Sequence, residues 1–448
     1  MDIAFQSADI EPALPGRYVY GTPWQRFGLY NSYVVVGSDG RILKMPAHAG
    51  ELVPGSTEDL VAALDECHGD GFPAVPMTVE LDPTYQCTSH DCGGYCFSAG
   101  YRSMSPSASI PYLQLERFIR EFRAAGGRIL RFDGGGDPLA HKGIRSGALV
   151  ELAASQGLKT TILTSGDLLD RSDLARIAES GCYVRVSLNA STNRTREAFH
   201  GNEIPLTRIL NGIEELSRLL TNLRSDVPVG ATFLLAPINF LEVAEAARMA
   251  RSVGIRHFSV RRILGPEWLR PTFGKKQSDL LNDLLSEVRQ MHSDDFRVAV
   301  PYRPVAQPDL NPANGEFCAT QCWQSTLKTV AEPNPGGGIQ LQLCGRYRGG
   351  GVGQRLAMPA LVSLPQPMGW VERWQESFTD FPVSRKDLLK TCVSCIDRGF
   401  ILMVDRLVNF LRHTSGPITI LHLDSPTPHE VVEWNSRASS VSAKVSAQ

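Results

Sequence analysis

From residue 77 onward, short β-branched or apolar runs alternate with stretches whose apolar positions recur every three or four residues. The runs predict strands near 77–81, 128–132, 158–164, 182–188, 228–236 and 256–263. The intervening stretches predict helices near 111–125, 142–156, 170–179, 206–223 and 240–254. The last of these ends in Gly254, suited to the left-handed turn that closes a helix. Six strands alternating with helices predict an α/β fold of parallel βα units with right-handed crossovers. Such a sheet closes into a partial or full barrel, or stays open and doubly wound. Periodicity does not choose between these, but either form puts its chemistry at the carboxyl ends of the strands.

Before this region the run Tyr33-Val34-Val35-Val36 predicts a strand and Ser38-Asp39-Gly40 a turn. Residues 57–66 predict a helix, and 69–76 a connector. After 265 the regular alternation ends, and Pro/Gly-rich stretches such as Pro333-Asn334-Pro335-Gly336-Gly337-Gly338 appear. The tail from about 435 is small and polar, a composition expected to be disordered. The chain thus divides into an extension (1–75), a βα region (76–265), a cysteine-rich region (266–400) and a C-terminal segment (401–448). It contains no internal repeat.

Forty-five basic against 47 acidic side chains leave a net charge of −2. No nucleic-acid or membrane-surface partner is expected from that balance. No apolar run is long enough to cross a membrane, and the start lacks an export signal, so the expected location is the cytoplasm. The ten cysteines, at 67, 87, 92, 96, 182, 318, 322, 344, 392 and 395, change the picture most. In a reducing compartment, clustered cysteines ligate metal or perform redox chemistry more often than they form disulfides.

Cys87, Cys92 and Cys96 fall in the loop after the first strand of the alternating region. Three close thiolates can wrap one face of an iron–sulfur cluster, leaving one iron open to an outside ligand. A structural zinc site, with His90 or a distant cysteine as fourth ligand, is the alternative, as are unligated thiols. Gly93 and Gly94 would let the backbone fold tightly there.

Residues 77–265 resemble the radical S-adenosylmethionine (SAM) superfamily. Its cysteine motif is C-x3-C-x2-C with an aromatic residue before the last cysteine. Here Tyr95 fills the aromatic position and the spacing is C-x4-C-x3-C. Gly134-Gly135-Gly136-Asp137-Pro138 resembles the family's GGEP segment, which receives the methionine ammonium of SAM, with Asp in place of Glu. Thr161 to Gly166 resembles the third-strand ending TNG, and Val184 to Thr192 the fourth-strand ending VSLDA, with Asn189 in place of Asp. The resemblance implies a partial (β/α)6 TIM-like barrel with a 4Fe–4S cluster on Cys87, Cys92 and Cys96. It implies SAM contacts from Tyr95, Gly134, Gly135, Gly136, Asp137, Ser165, Ser187 and Asn189, with Arg262 a further polar candidate at the sixth strand end.

Cys318, Cys322, Cys344, Cys392 and Cys395 resemble the SPASM and twitch auxiliary-cluster extensions of the same superfamily. There a hairpin lies between two cysteines and a later C-x2-C completes the site. Five candidates exceed four ligands, so Cys318 or Cys322 is spare. A zinc ribbon is the structural alternative. Cys182, opening an apolar strand, is expected to be a core residue. His141 and His200 lie near strand-end loops.

The function that follows is that of a radical SAM enzyme acting on a peptide or natural-product intermediate. It would use an auxiliary Fe–S cluster and an electron donor such as flavodoxin or ferredoxin. A carbohydrate- or cyclitol-like metabolite is the alternative substrate. A zinc-binding α/β interaction protein is the rival of another class. Nucleotide enzymes of P-loop or Rossmann type are excluded, since neither GxxxxGK[ST] nor GxGxxG occurs.

Overall fold

The computed structural model describes residues 75–263 except 90, 91, 93 and 97, then 273–300 except 294, 322–344 except 335 and 343, and 369–376. It also describes strands at 18–19, 32–37, 42–45, 362–364 and 418–423 and helical residues 63, 64, 404, 408 and 413. Two compact units are present. One comprises 1–73, 315–327 and 385–448, and the other 74–314 and 328–384. In the first, β1 (Tyr18–Val19), β14 (Ile418–Leu423), β2 (Ser32–Gly37) and β3 (Ile42–Met45) form a sheet in that order. The valine run therefore forms its strand, and β2 pairs antiparallel with β3. Turn 38–40 and the tail after 435 lie outside the described residues, as does helix 57–66 apart from Ala63 and Leu64.

The second unit is built on β4 (Thr78–Leu81), β5 (Ile129–Phe132), β6 (Lys159–Thr164), β7 (Tyr183–Ser187), β8 (Val229–Leu235) and β9 (His257–Arg262). All six pair in parallel with their neighbours. The intervening helices are α1 (Ala99–Met104), α2 (Tyr112–Ala124), α3 (Lys142–Arg145), α4 (Ala148–Ser155), α5 (Leu174–Glu179), α6 (Asn193–His200), α7 (Leu206–Asn222) and α8 (Val243–Ser252). The stretch 142–156, expected as one helix, is two. Gly147 takes a left-handed φ of +70° between them, a conformation glycine adopts without steric cost.

The alternation also continues past 265. Helix α9 (Lys275–Gln290) leads into β10 (Arg297–Ala299), which adds in parallel beside β9. At the opposite edge β11 (Lys328–Pro333) pairs in parallel with β4, followed antiparallel by β12 (Ile339–Gln342) and β13 (Val362–Leu364). The result is a partial TIM-like barrel in an open ten-stranded sheet.

Each strand presents an apolar face to the helices. Leu130, Phe132, Ile162, Val184, Phe233 and Phe258 join one continuous core with Phe118 and Phe122 of α2 and Ile213 and Leu216 of α7. Burying a side chain of this size contributes ~1.5–3 kcal/mol. Alternate positions on the same strands, Glu80, Thr161, Arg185 and Thr232, are polar and also buried. Successive strand residues point to opposite faces, so the sheet curls around a polar interior. Cys182 is a fully buried core residue, as expected.

Candidate functional site

The loop after β4 is tied down before it reaches its first cysteine. Tyr85 N donates to the Ala108 carbonyl at 2.8 Å, and Tyr85 Oη to Glu332 Oε2 at 3.0 Å. Gly136 N then donates to the Thr84 carbonyl at 2.9 Å and Asp137 N to that of Gln86 at 2.8 Å. The glycine-rich segment after β5 is thereby zipped onto residues 84–86. A Cβ on Gly136 would sit 2.0 Å from the Gln86 oxygen, and one on Gly134 2.0 Å from the Gly136 oxygen. Only glycine allows this approach. Gly135 lies buried between them.

The three cysteine side chains are each half-buried. Cys92 has a φ of +48° and Gly94 of +77°, so the loop reverses tightly between the second and third cysteines. The Cys92 thiol donates toward Cys96, which also lies 3.0 Å from Ser98 Oγ at the start of α1. These contacts hold the Cys96 thiol well below its ordinary value, and push Cys92 up. Burial, and then the nearby Asp137, raise Cys87 to about 11. Tyr95 stacks on Phe199 with ring centroids 6.0 Å apart, in an apolar cluster with Ala236 and Ile263 that Cys92 also touches. Among the described residues, no three or more His, Cys, Asp or Glu side chains are placed to hold a single metal ion. Three mutually interacting thiols, partly open to solvent, fit a multi-iron cluster, which takes each thiolate on a different iron.

Asp137 is buried, and its carboxylate is filled by protein donors. It accepts from Leu139 N at 2.9 Å, Thr164 Oγ1 at 2.8 Å, Ser165 N at 2.8 Å and Ser165 Oγ at 2.7 Å. Burial raises its pKa, against the pull of these hydrogen bonds. The acid therefore fastens the end of β6 to the glycine-rich turn. Ser187 ends β7, half-buried. Asn189, just beyond, is buried: its Oδ1 accepts from Leu234 N at 2.9 Å, and its Nδ2 faces His200 Nε2 at 3.4 Å. Arg262 ends β9 opposite Leu235, its side chain outside the described residues.

Beneath the cysteine loop lies a polar network that the sequence reading missed. Asp167, fully buried, is ion-paired with Arg196 of α6 and accepts from Thr88 Oγ1 at 2.5 Å and Asn202 Nδ2 at 2.9 Å. Asn202 Oδ1 accepts from Arg196 Nη1 at 2.7 Å. His200 lies between Ser89 Oγ and Asn189 Nδ2, each 3.4 Å away. Burial and then Arg196 push its pKa down to about 4, so the ring is neutral at pH 7. His141 plays a different part, capping α3 by accepting from Gly143 N at 3.2 Å. Glu242, also missed, gathers Ser191, Thr192 and Thr195 through five hydrogen bonds. Asp167 directly follows the Thr164-Ser165-Gly166 match, the one local signal that could have found it.

Cys322 is buried and precedes α10 (Trp323–Leu327), whose Ser325 and Thr326 hydroxyls donate to its carbonyl at 3.0 and 3.1 Å. The hairpin expected between Cys322 and Cys344 forms as β11 and β12, and Cys344, half-exposed, follows it. Cys67, Cys318, Cys392 and Cys395 lie outside the described residues.

Residues 83–235, from the cysteine loop to the end of β8, match the family model of the radical SAM superfamily. The chain thus carries a radical SAM domain over these residues. Among solved structures, the radical SAM unit and its flanks resemble Streptococcus suis SuiB bound to its precursor peptide SuiA. The TM-score is 0.52 at 15% identity, covering 83% of this chain and 82% of that one. SuiB bound to S-adenosylmethionine gives 0.52 at 15%, covering 80% and 78%. At such identity the likeness is one of fold. No curated protein matches this chain by sequence. Among the described residues, no helix is long and apolar enough to cross a membrane.

Proposed function

We propose that this chain is a peptide-modifying radical SAM enzyme whose 4Fe–4S cluster sits on Cys87, Cys92 and Cys96. The observation that carries the reading is the zipping of the cysteine loop onto Gly134–Gly136 within the matched domain. Cluster ligands and the cofactor's backbone cradle are thereby fixed against each other before either ligand arrives. Held by Cys87, Cys92 and Cys96, the cluster together with SAM would supply reductive cleavage of SAM to methionine and a 5′-deoxyadenosyl radical able to remove hydrogen from the substrate. The protein's own part is placement. Tyr95 packs one side of the loop, and Gly134, Gly135 and Gly136 let SAM approach the backbone. Asp137 sets the positions of Thr164 and Ser165 around it. Ser187 at the end of β7, Asn189 just past it, and Arg262 at the end of β9 are the further candidates for contact with SAM. The SuiB complex with its precursor peptide supports a peptide as substrate, by likeness of fold.

We read Cys322 and Cys344, with Cys318, Cys392 and Cys395, as the source of an auxiliary Fe–S cluster that assists oxidation or binds substrate. An external flavodoxin- or ferredoxin-type donor would deliver the electron.

The test is iron, sulfide and zinc per chain after anaerobic reconstitution, with 5′-deoxyadenosine formation from SAM under dithionite. About eight irons with SAM cleavage supports both clusters, and about four with cleavage supports the SAM cluster alone. Zinc with little iron and no cleavage overturns the reading.

A further inference from the structure

We infer that Arg102 is a positioning residue of the cluster site that raises the reduction potential of the iron–sulfur centre. This inference rests on the assignment of that centre to Cys87, Cys92 and Cys96.

Arg102 stands on α1, the helix that follows the cysteine loop, and is only 7% exposed. Its Nη1 donates to the Ser89 carbonyl at 3.3 Å, two residues past the first cysteine. The guanidinium lies against the Cys87 thiol and within charge reach of Cys92 and Cys96. A guanidinium keeps its proton in such surroundings, so a fixed positive charge is built in beside all three ligands. Arg196 also lies within charge reach of Cys92, but it is ion-paired with Asp167.

The consequence follows from charge alone. Three thiolates around a 4Fe–4S core of charge +2 total −1. One electron from an external low-potential donor brings the total to −2, with no bond made or broken and no proton moved. The attraction to a nearby cation is about twice as large in the reduced state, and in a partly buried site it is weakly screened. Arg102 therefore favours reduction and eases the demand on the donor.

The experiment compares wild type, Arg102→Gln, Arg102→Lys and Arg120→Gln after reconstitution. Arg120 pairs with Glu116 on an exposed face of α2 and controls for net charge. Iron and sulfide are counted, and the centre is titrated potentiometrically with EPR detection. Arg102→Gln is expected to keep its iron and to lose about tenfold in the one-electron reduction equilibrium, about 59 mV. Arg102→Lys should stay within about threefold of wild type, and Arg120→Gln should not move. A wild-type midpoint in Arg102→Gln overturns the inference. Should that variant hold no iron, Arg102→Lys decides: a midpoint near wild type supports the role of charge, and a tenfold loss overturns it. A triple Cys87/Cys92/Cys96→Ala variant with undiminished iron would sink the cluster assignment itself, which is a different failure.

Discussion

Gly136 shows how much a single position can govern. Its missing side chain is what lets the glycine-rich turn lie on the Gln86 carbonyl. Gly136→Ala must push the two segments apart, at ~1–3 kcal/mol by the usual cost of overpacking. The expected outcome is a lower urea midpoint together with most of the reconstituted iron lost. Gly94→Ala meets open space and only the strain of its φ of +77°, so it should retain its iron. His200 offers a second residue-level test. Its folded pKa of about 4 lies below the ordinary 6.5 because burial and Arg196 disfavour the imidazolium. The unfolded chain therefore takes up the proton first. Stability from the neutral ring is complete above pH 6.5 and is lost as pH falls toward 4, by up to ~3 kcal/mol. Urea midpoints measured across that range should fall less steeply in His200→Gln than in wild type. At this scale the cysteines, glycines and Asp137 stand out in the sequence because each belongs to a short local motif. Asp167, Arg196 and Arg102 were not. The first two act across 29 residues, and a buried arginine has no sequence pattern that distinguishes it from an exposed one.

The elements of the barrel were the most legible part of the chain, since each strand and helix carries its own period. Three misses have three separate causes. The break at Gly147 is set by one backbone conformation, and β10 is a three-residue strand too short to show alternation. The pairing of β11 with β4 joins residues some 250 apart. No local pattern encodes such a partner. The loop after β6, helix α6 and the cysteine loop are joined by the buried Asp167–Arg196 pair. Asp167→Asn would leave a buried guanidinium without its carboxylate, at a cost of ~3–5 kcal/mol. Removing Glu245 from its exposed pair with Arg248 should cost less than ~1 kcal/mol. Urea unfolding of Asp167→Asn and Glu245→Gln separates the two values, and equal values would contradict this account of the network.

For the whole molecule, the radical SAM unit and the remaining cysteines make separable demands. Cys92→Ala is expected to abolish SAM cleavage with the far-UV circular dichroism unchanged. Cys392→Ala should spare cleavage and impair product formation once a substrate peptide is in hand. Comparable turnover in Cys392→Ala and wild type would remove the auxiliary cluster from the chemistry.

The cysteine loop is pinned at both ends. Gly136, Asp137 and Asp167 hold residues 84–88, and α1 begins three residues after Cys96. The two residues by which C-x4-C-x3-C exceeds the familiar spacing fall between these anchors. Lengthening a closed span from eight residues to ten adds only about 0.2 kcal/mol of closure entropy. An insertion there is nearly neutral, whereas one at the zipped end would disturb every contact beneath it. Spacing between the cysteines is thus free to drift in descent, and a more durable fingerprint is the glycine turn that clasps the chain just before the first of them.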